Sequence, residues 1–425
     1  MNDRVVITGA GMVCSLGHSL SGVWNALLGE RVGIGEINGF RAEGFPCRVG
    51  AQVEGLTPQE LGIHPRDSRI MDLHTLMLMK CSRDAYAQAG LDRAQLRREA
   101  IGFFVGMGMV DYRIDDLLPG VASSLNPEGA LDYEAFFVRG YQTIYPLWPL
   151  SMLNNIGFCQ VAIHLDIRGE NTVFSPHGDS GAQAVAEGMN GLLEGRSQVA
   201  LAGGVSEKIS PLNLARAHLR GILNTSGENT GRACQPFGAD RKGTILGEGC
   251  GVVCLELESA AKKRGTPCLA AVTGYGFAYG RDGGAPAPSA EALRESMAKA
   301  LGRANLGPTD IDVIIAHGEG TERGDGNELE AIHRLFSDGV DRVTVFSSKG
   351  ALGHLLAGAP VVDTILGLSM LKTGLIPPTQ CSRPDPSIRF RFATQGPLPI
   401  PARRIMINCQ SYEGQAGSLI IESCE

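Results

Sequence analysis

Short apolar runs that end in glycine alternate along this chain with segments of helical spacing, and that alternation limits the fold more than any other feature. The runs RVVITGAG (4–11), AIGFFVGMG (100–108), NTVFSP (171–176), QVALAGGVSE (198–207) and DVIIAHGEGT (312–321) read as buried strands. LSGVWNALLGE (20–30) and GAQAVAEGMNGLLEG (181–195) have helical spacing, and GVVCLELESAAKKRG (251–265) passes from strand to helix. A long apolar helix follows over 351–374, and 403–425 reads as a closing hairpin. Strands apolar along their whole length are covered on both faces, so the pattern predicts an α/β layered fold. The most loop-like stretch, GYGFAYGRDGGAPAPSAE (274–291), marks the middle of a two-halved chain.

Bulk composition excludes several classes. With 425 residues and 43% hydrophobic content, the chain can bury a sizeable core. The net charge is −7 and no Lys/Arg-rich stretch stands out, so no nucleic-acid partner is expected. An acidic carrier protein would need a local basic patch or an intermediary subunit. The 11 cysteines are scattered, with no C-x-x-C pair, which speaks against a disulfide framework and a structural zinc site. The start lacks a basic-then-apolar leader, and no run of about 18 apolar residues spans a membrane. A cytoplasmic protein with no membrane partner is the expectation.

Several motifs invite chemistry and are set aside. GMGMVD (106–111) and GYGFAYG (274–280) are not dinucleotide loops, because neither gives G-x-G-x-x-G opening a helix. GDSG (178–181) suggests a serine nucleophile at Ser180, but it opens an Ala/Gly-rich helix in an α/β chain. His317, Glu319, Glu322, Asp325 and Glu328 form an acidic cluster with one histidine. Carboxylates at the solvated start of a helix complement its dipole without an ion, so no metal is expected. Three segments weigh more together: the strand-to-helix corner around PHGDSG, the histidine of AHGEGT (316–321), and the lysine and histidine of SSKGALGHLLAGA (347–359).

These segments resemble the β-ketoacyl-acyl-carrier-protein synthases over nearly the whole chain. VVITGAGMVCSLG is similar to the family's opening strand and turn, and ACQPFGADRKGTILGEGCGVVCLE (233–256) to its "RPFDxxRdGfvxGEGaGvlvLE" signature. IIAHGEGTERGDGNELEAI (314–332) resembles "NAHGTgTxxGDxxE", and FSSKGALGHLLAGA (346–359) resembles "ssKsxxGHxxgAaG". The resemblance implies a thiolase-like α/β fold, two similar halves giving an α-β-α-β-α layering. The first half, 1–257, would carry the corner, and the second, 258–425, would carry His317, Lys349 and His354. It also implies substrates arriving on a phosphopantetheinyl acyl carrier protein, with no other cofactor. In the family a corner cysteine takes the acyl chain as a thioester, and the two histidines promote decarboxylation of the extender.

Here Gly178 falls on the cysteine position. Glycine has no nucleophile, and losing one typically costs on the order of 10⁴–10⁶ in rate. The family's closing loop "NsFGFGGtN", which gates the site and supplies an oxyanion donor, reads Asn408 to Ala416 here, with Gln410, Ser411, Tyr412 and Glu413 in the reworked part. An inward Glu413 would set negative charge near an oxyanion, and an outward one would face solvent. Both losses suit a chain length factor, the non-condensing subunit that forms a heterodimer with an active ketosynthase and lines the chain tunnel in polyketide biosynthesis. Met109, Val110, Tyr112 and Trp148 are the expected tunnel or interface residues. Two alternatives stand: a malonyl-carrier-protein decarboxylase using His317 and His354, and a cysteine-independent acyltransferase or condensing enzyme. Against the first, glycine leaves an unfilled pocket where related decarboxylases carry glutamine.

Overall fold

The computed structural model describes residues 3–108, 111, 114–151, 153–227, 230–282 and 284–424. Its main sheet has eleven strands. Ten are β1 (Val5–Cys14), β2 (Ile101–Met107), β3 (Asn171–Phe174), β4 (Val199–Val205), β5 (Gly249–Leu257), β6 (Ala270–Tyr279), β7 (Val313–Ile315), β8 (Thr344–Phe346), β9 (Arg404–Gln410) and β10 (Gln415–Glu422). The eleventh, Arg391–Phe392, lies on the β8 edge.

The sheet repeats one topology twice. The first half runs β3-β2-β4-β5-β1 and the second β8-β7-β9-β10-β6. In each half the first strand pairs antiparallel with the fifth, the fifth antiparallel with the fourth, and the rest are parallel. The halves meet edge to edge where Val5, Val6 and Ile7 pair with Val272, Ala271 and Ala270.

Helices fill both sides of each half. They are α1 (Leu73–Gln88), α2 (Ser180–Leu193), α3 (Pro211–Leu219), α4 (Ala290–Ala304), α5 (Glu322–Phe336) and α6 (Ala359–Thr373). Helix α1 covers the outside of the first half, α4 with α5 the outside of the second, and α2 with α6 lies between the halves. The period-two geometry of a strand sorts side chains accordingly. On β2, Ile101, Phe103 and Val105 join the outer core under α1, while Phe104 joins the central one. Both faces are covered, which is why these strands read as unbroken apolar runs. Helix α6 is buried on every side from Ala359 to Met370, as its central layer requires. The stretch Leu356–Thr373 is long and apolar enough to cross a membrane, but 83% of it is buried inside this fold.

Two readings are corrected. Residues 274–279 are not a mid-chain loop but the end of β6, in the middle of the sheet. Their glycines serve packing: a Cβ on Gly274 would lie 2.3 Å from the carbonyl oxygen of Ala300, and one on Gly276 2.2 Å from that of Ser296. Glycine there lets α4 sit directly on the strand. Cys268 and Cys424 form a disulfide, joining the segment before β6 to the segment after β10. The remaining nine cysteines are free.

Candidate active site

The corner forms where β3 ends and α2 begins, with Ser180 N–H donating to the His177 carbonyl at 3.1 Å. Gly178 sits at its apex, buried. A Cβ built on Gly178 would lie 2.5 Å from the carbonyl oxygen of Gln410, 3.4 Å from its carbonyl carbon and 3.6 Å from the Ser411 Cα. The space is therefore not an unfilled pocket. The backbone at the end of β9 occupies it.

The second half supplies the histidines. His317 follows β7, and His354 follows the short helix Lys349–Leu352. Their rings stand edge to face with centroids 5.0 Å apart. Gln410 N–H donates to His317 Nδ1 and Leu356 N–H to His354 Nδ1, both at 3.2 Å. Each Nδ1 is therefore an acceptor, which assigns the proton of the neutral ring to Nε2. Both Nε2 atoms face Glu319 Oε2, at 3.2 Å from His317 and 3.8 Å from His354. Burial alone would push the Glu319 carboxyl up. The hydrogen bond from His317, the electrostatic pull of the two histidines and the Thr321 hydroxyl outweigh it and hold the carboxyl at about 2. Burial, His317 and Lys349 push His354 well below the ordinary imidazole range.

His317, Glu319 and His354 have ligand atoms within 4.8 Å of one another, close enough for a metal ion. The tautomer opposes one. A ligating Nε2 must give up its proton, and the other ring nitrogen then normally donates. Here a backbone N–H already points at each Nδ1.

The other acidic residues do not fit the solvated helix start expected of them. Asp325 and Glu328 are fully buried. Glu328 accepts from His317 N–H at 2.9 Å, Gly318 N–H at 2.7 Å and Asn408 Nδ2 at 3.2 Å, which fixes the histidine loop to β9. Asp325 accepts from Phe237 N–H at 2.6 Å and Gly320 N–H at 3.0 Å. Burial pushes its carboxyl up to about 7. Only Glu322 is exposed. Lys349 Nζ is 3.7 Å from Asp363 Oδ2, both residues buried, and Ser348 Oγ donates to Asp363 Oδ1 at 2.6 Å.

The loop after β9 resolves the orientation of Glu413. Its Oε2 meets His177 Nδ1 at 3.3 Å and the Ser411 hydroxyl, and its Oε1 lies 3.8 Å from Arg220. Glu413 thus neighbours the corner and is balanced by Arg220, whose guanidinium also lies 5.2 Å from the Tyr412 ring centre. Of the expected tunnel residues, Met109, Val110 and Tyr112 lie outside the described residues. Trp148 opens the short helix Trp148–Ser151 and is partly exposed. A cavity of about 570 Å³ opens at the ends of β2 and β4, lined by Met107, Gly108, Asp111, Ile114, Glu207 and Lys208 among others.

A corner followed by a helix, two histidines and a buried lysine on a twice-repeated sheet is the arrangement that the sequence resemblance implied. The comparisons agree. Residues 2–261 match the family model of the β-ketoacyl synthase N-terminal domain, and residues 269–382 match that of its C-terminal domain. The chain belongs to the β-ketoacyl synthase family. It is 30% identical to a 3-oxoacyl-[acyl-carrier-protein] synthase 2 of Rhizobium meliloti over 438 aligned residues, and 27% identical to one of Coxiella burnetii over 422. Each alignment covers 98% of both chains. Among solved structures, the ishigamide ketosynthase/chain length factor superposes with a TM-score of 0.87 at 24% identity, and a β-ketoacyl synthase from Burkholderia phymatum with 0.86 at 24%. Both cover 100% of each chain, and at that identity they establish the thiolase-like fold.

Within this ketosynthase framework, sequence reasoning placed Gly178, His317, Lys349 and His354 at one site, and the corner, the histidine pair and Gln410 do converge. It missed Glu319 as a site residue. The signal was in the motif itself, where "NAHGTgT" has threonine and this chain has Glu319.

Proposed function

We propose that this chain is the non-condensing subunit, a chain length factor, of a type II ketosynthase pair. The observation that carries the reading is the packing at Gly178. The nucleophile is absent, and the Gln410 carbonyl oxygen lies 2.5 Å from where its Cβ would be. Reversion by one substitution would force the β9 backbone to shift, so the loss is supported by packing as well as by residue identity. No neighbouring thiol substitutes. Cys409 is buried, its Sγ–H donates to the Gly417 carbonyl, and burial pushes its thiol well up.

A partner is supported by the surface around β3. This strand is a free edge of the main sheet. The segment before it exposes Leu118, Tyr133, Phe137, Val138, Tyr141 and Ile163, each more than half exposed. Exposed large apolar side chains of this kind, together with an open sheet edge, suit an interaction surface. The cavity lined by Met107, Gly108 and Ile114 suits a subunit that shapes the space for a growing chain. For an acidic carrier protein, Arg216 and His218 in the last turn of α3, with Arg220 just after it against Tyr412, offer basic side chains on an acidic chain.

Co-expression with a cysteine-bearing ketosynthase tests the association. The expected result is a heterodimer by native mass spectrometry that survives purification. A chain that remains separate from such ketosynthases, and turns over malonyl carrier protein alone, would overturn the reading.

A further inference from the structure

We propose that His317 and His354 form a carboxylate-binding site whose ligand is built into the chain, the side chain of Glu319. The inference rests on the non-condensing reading for what the site has given up. It rests on geometry for what now fills it.

Donors converge on this carboxylate from three directions. His317 Nε2 lies 3.2 Å and His354 Nε2 3.8 Å from Oε2, and the Thr321 hydroxyl donates to Oε1 at 2.6 Å. Thr321 caps α5, its oxygen accepting from Gly324 N–H at 2.9 Å, so its proton is directed to Glu319. The positive end of α5 adds to the attraction. Gly324 leaves the room: a Cβ there would lie 2.3 Å from Glu319 Oε1. Glu319 is only 7% exposed, so a buried charge is matched by hydrogen bonds on both oxygens.

The consequence is chemical. The two Nε2–H groups are the donors that would receive a substrate thioester oxygen, and a fixed anion already bonds the first at 3.2 Å and faces the second at 3.8 Å. A malonyl carboxylate or an enolate oxygen entering the site would meet a like charge in a buried setting, where repulsion is strong. Glu319 therefore closes the decarboxylation half of the reaction, as Gly178 with Gln410 closes the acyl-transfer half.

Removing the carboxylate should create a site for a small free one. The test compares thermal midpoints of the wild-type chain and Glu319→Ala in sodium formate and in sodium chloride at matched ionic strength. The expected result is a formate-specific rise of ~2–4 °C at about 100 mM in the variant and none in the wild type. Equal responses in both proteins would overturn the proposal. Should Glu319→Ala not fold, Glu319→Gln keeps the shape and removes the charge. Its His354 imidazole, which Glu319 raises in the wild type, should then titrate at lower pH by NMR, and unchanged titration would overturn the proposal. Neither readout uses a carrier protein or a partner subunit. A failure here is thus distinct from a failure of the non-condensing reading, which the turnover of malonyl carrier protein decides.

Discussion

Adding one methyl group at position 178 perturbs the site with the least chemistry. In Gly178→Ala the new Cβ would be 2.5 Å from the Gln410 carbonyl oxygen, so about 1 Å of relief is needed to reach ordinary contact. Gln410 is poorly placed to give way. Its N–H holds His317 Nδ1, and the residue pairs with Ala416 at the end of the β9–β10 ladder. Gly178 is also buried. Overpacking of this kind costs ~1–3 kcal/mol. A Gly-to-Ala change that the backbone tolerates instead gains ~0.4–1 kcal/mol through the unfolded chain. The steric term wins, and urea denaturation should show a net loss of stability. Gly178→Cys carries the same Cβ and adds a sulfur, so it should be destabilised too and should not accept an acyl group from acyl carrier protein, as read by intact-protein mass. A Gly178→Ala variant as stable as the parent, with a Gly178→Cys variant that forms a thioester, would refute the packing argument.

Other outcomes follow from the same geometry. The Glu319 carboxyl lies at about 2 in the folded chain, below its ordinary 4.5, so it contributes stability above pH 4.5 that is lost as pH falls toward 2. Glu319→Gln should flatten that acid limb of the stability curve, and an unchanged limb would contradict the assignment. His354→Ala in this subunit should leave turnover by an assembled ketosynthase pair within ~twofold, because its Nε2–H serves Glu319 and not substrate. A loss of several orders of magnitude would return this histidine to the chemistry. Paired changes Tyr133→Asp and Phe137→Asp place charge on side chains that are 68% and 67% exposed. They should leave the isolated chain folded by circular dichroism and weaken heterodimer formation in sedimentation experiments.

Much of the fold was legible because its strands are buried on both faces and therefore read as plain apolar runs. β1, β2, β4 and the strand of the His317 segment are examples. β6 was misread for a physical reason. Gly274 and Gly276 look like turn residues but exist so that α4 can touch the strand. The Cys268–Cys424 bridge joins residues 156 positions apart, and neither has a spacing that announces a partner. At the site, the missing nucleophile was visible as one letter, whereas the carbonyl that replaces it was not. Gln410 and Gly178 are brought together by the packing of two halves, and a backbone oxygen leaves no mark on residue identity. Asp325 and Glu328 were read as solvated because carboxylates usually are. Burial reversed that, and they serve as acceptors for backbone N–H groups that position the histidine loop.

The central claim is that this ketosynthase-family chain does not make the carbon–carbon bond itself. The most direct measurement incubates acyl and malonyl carrier proteins with the purified chain alone, with a cysteine-bearing ketosynthase alone, and with both, and follows products by mass spectrometry. The account predicts no condensed product from this chain alone, and elongated product of defined length when both subunits are present. A condensed product formed by the isolated chain would contradict it.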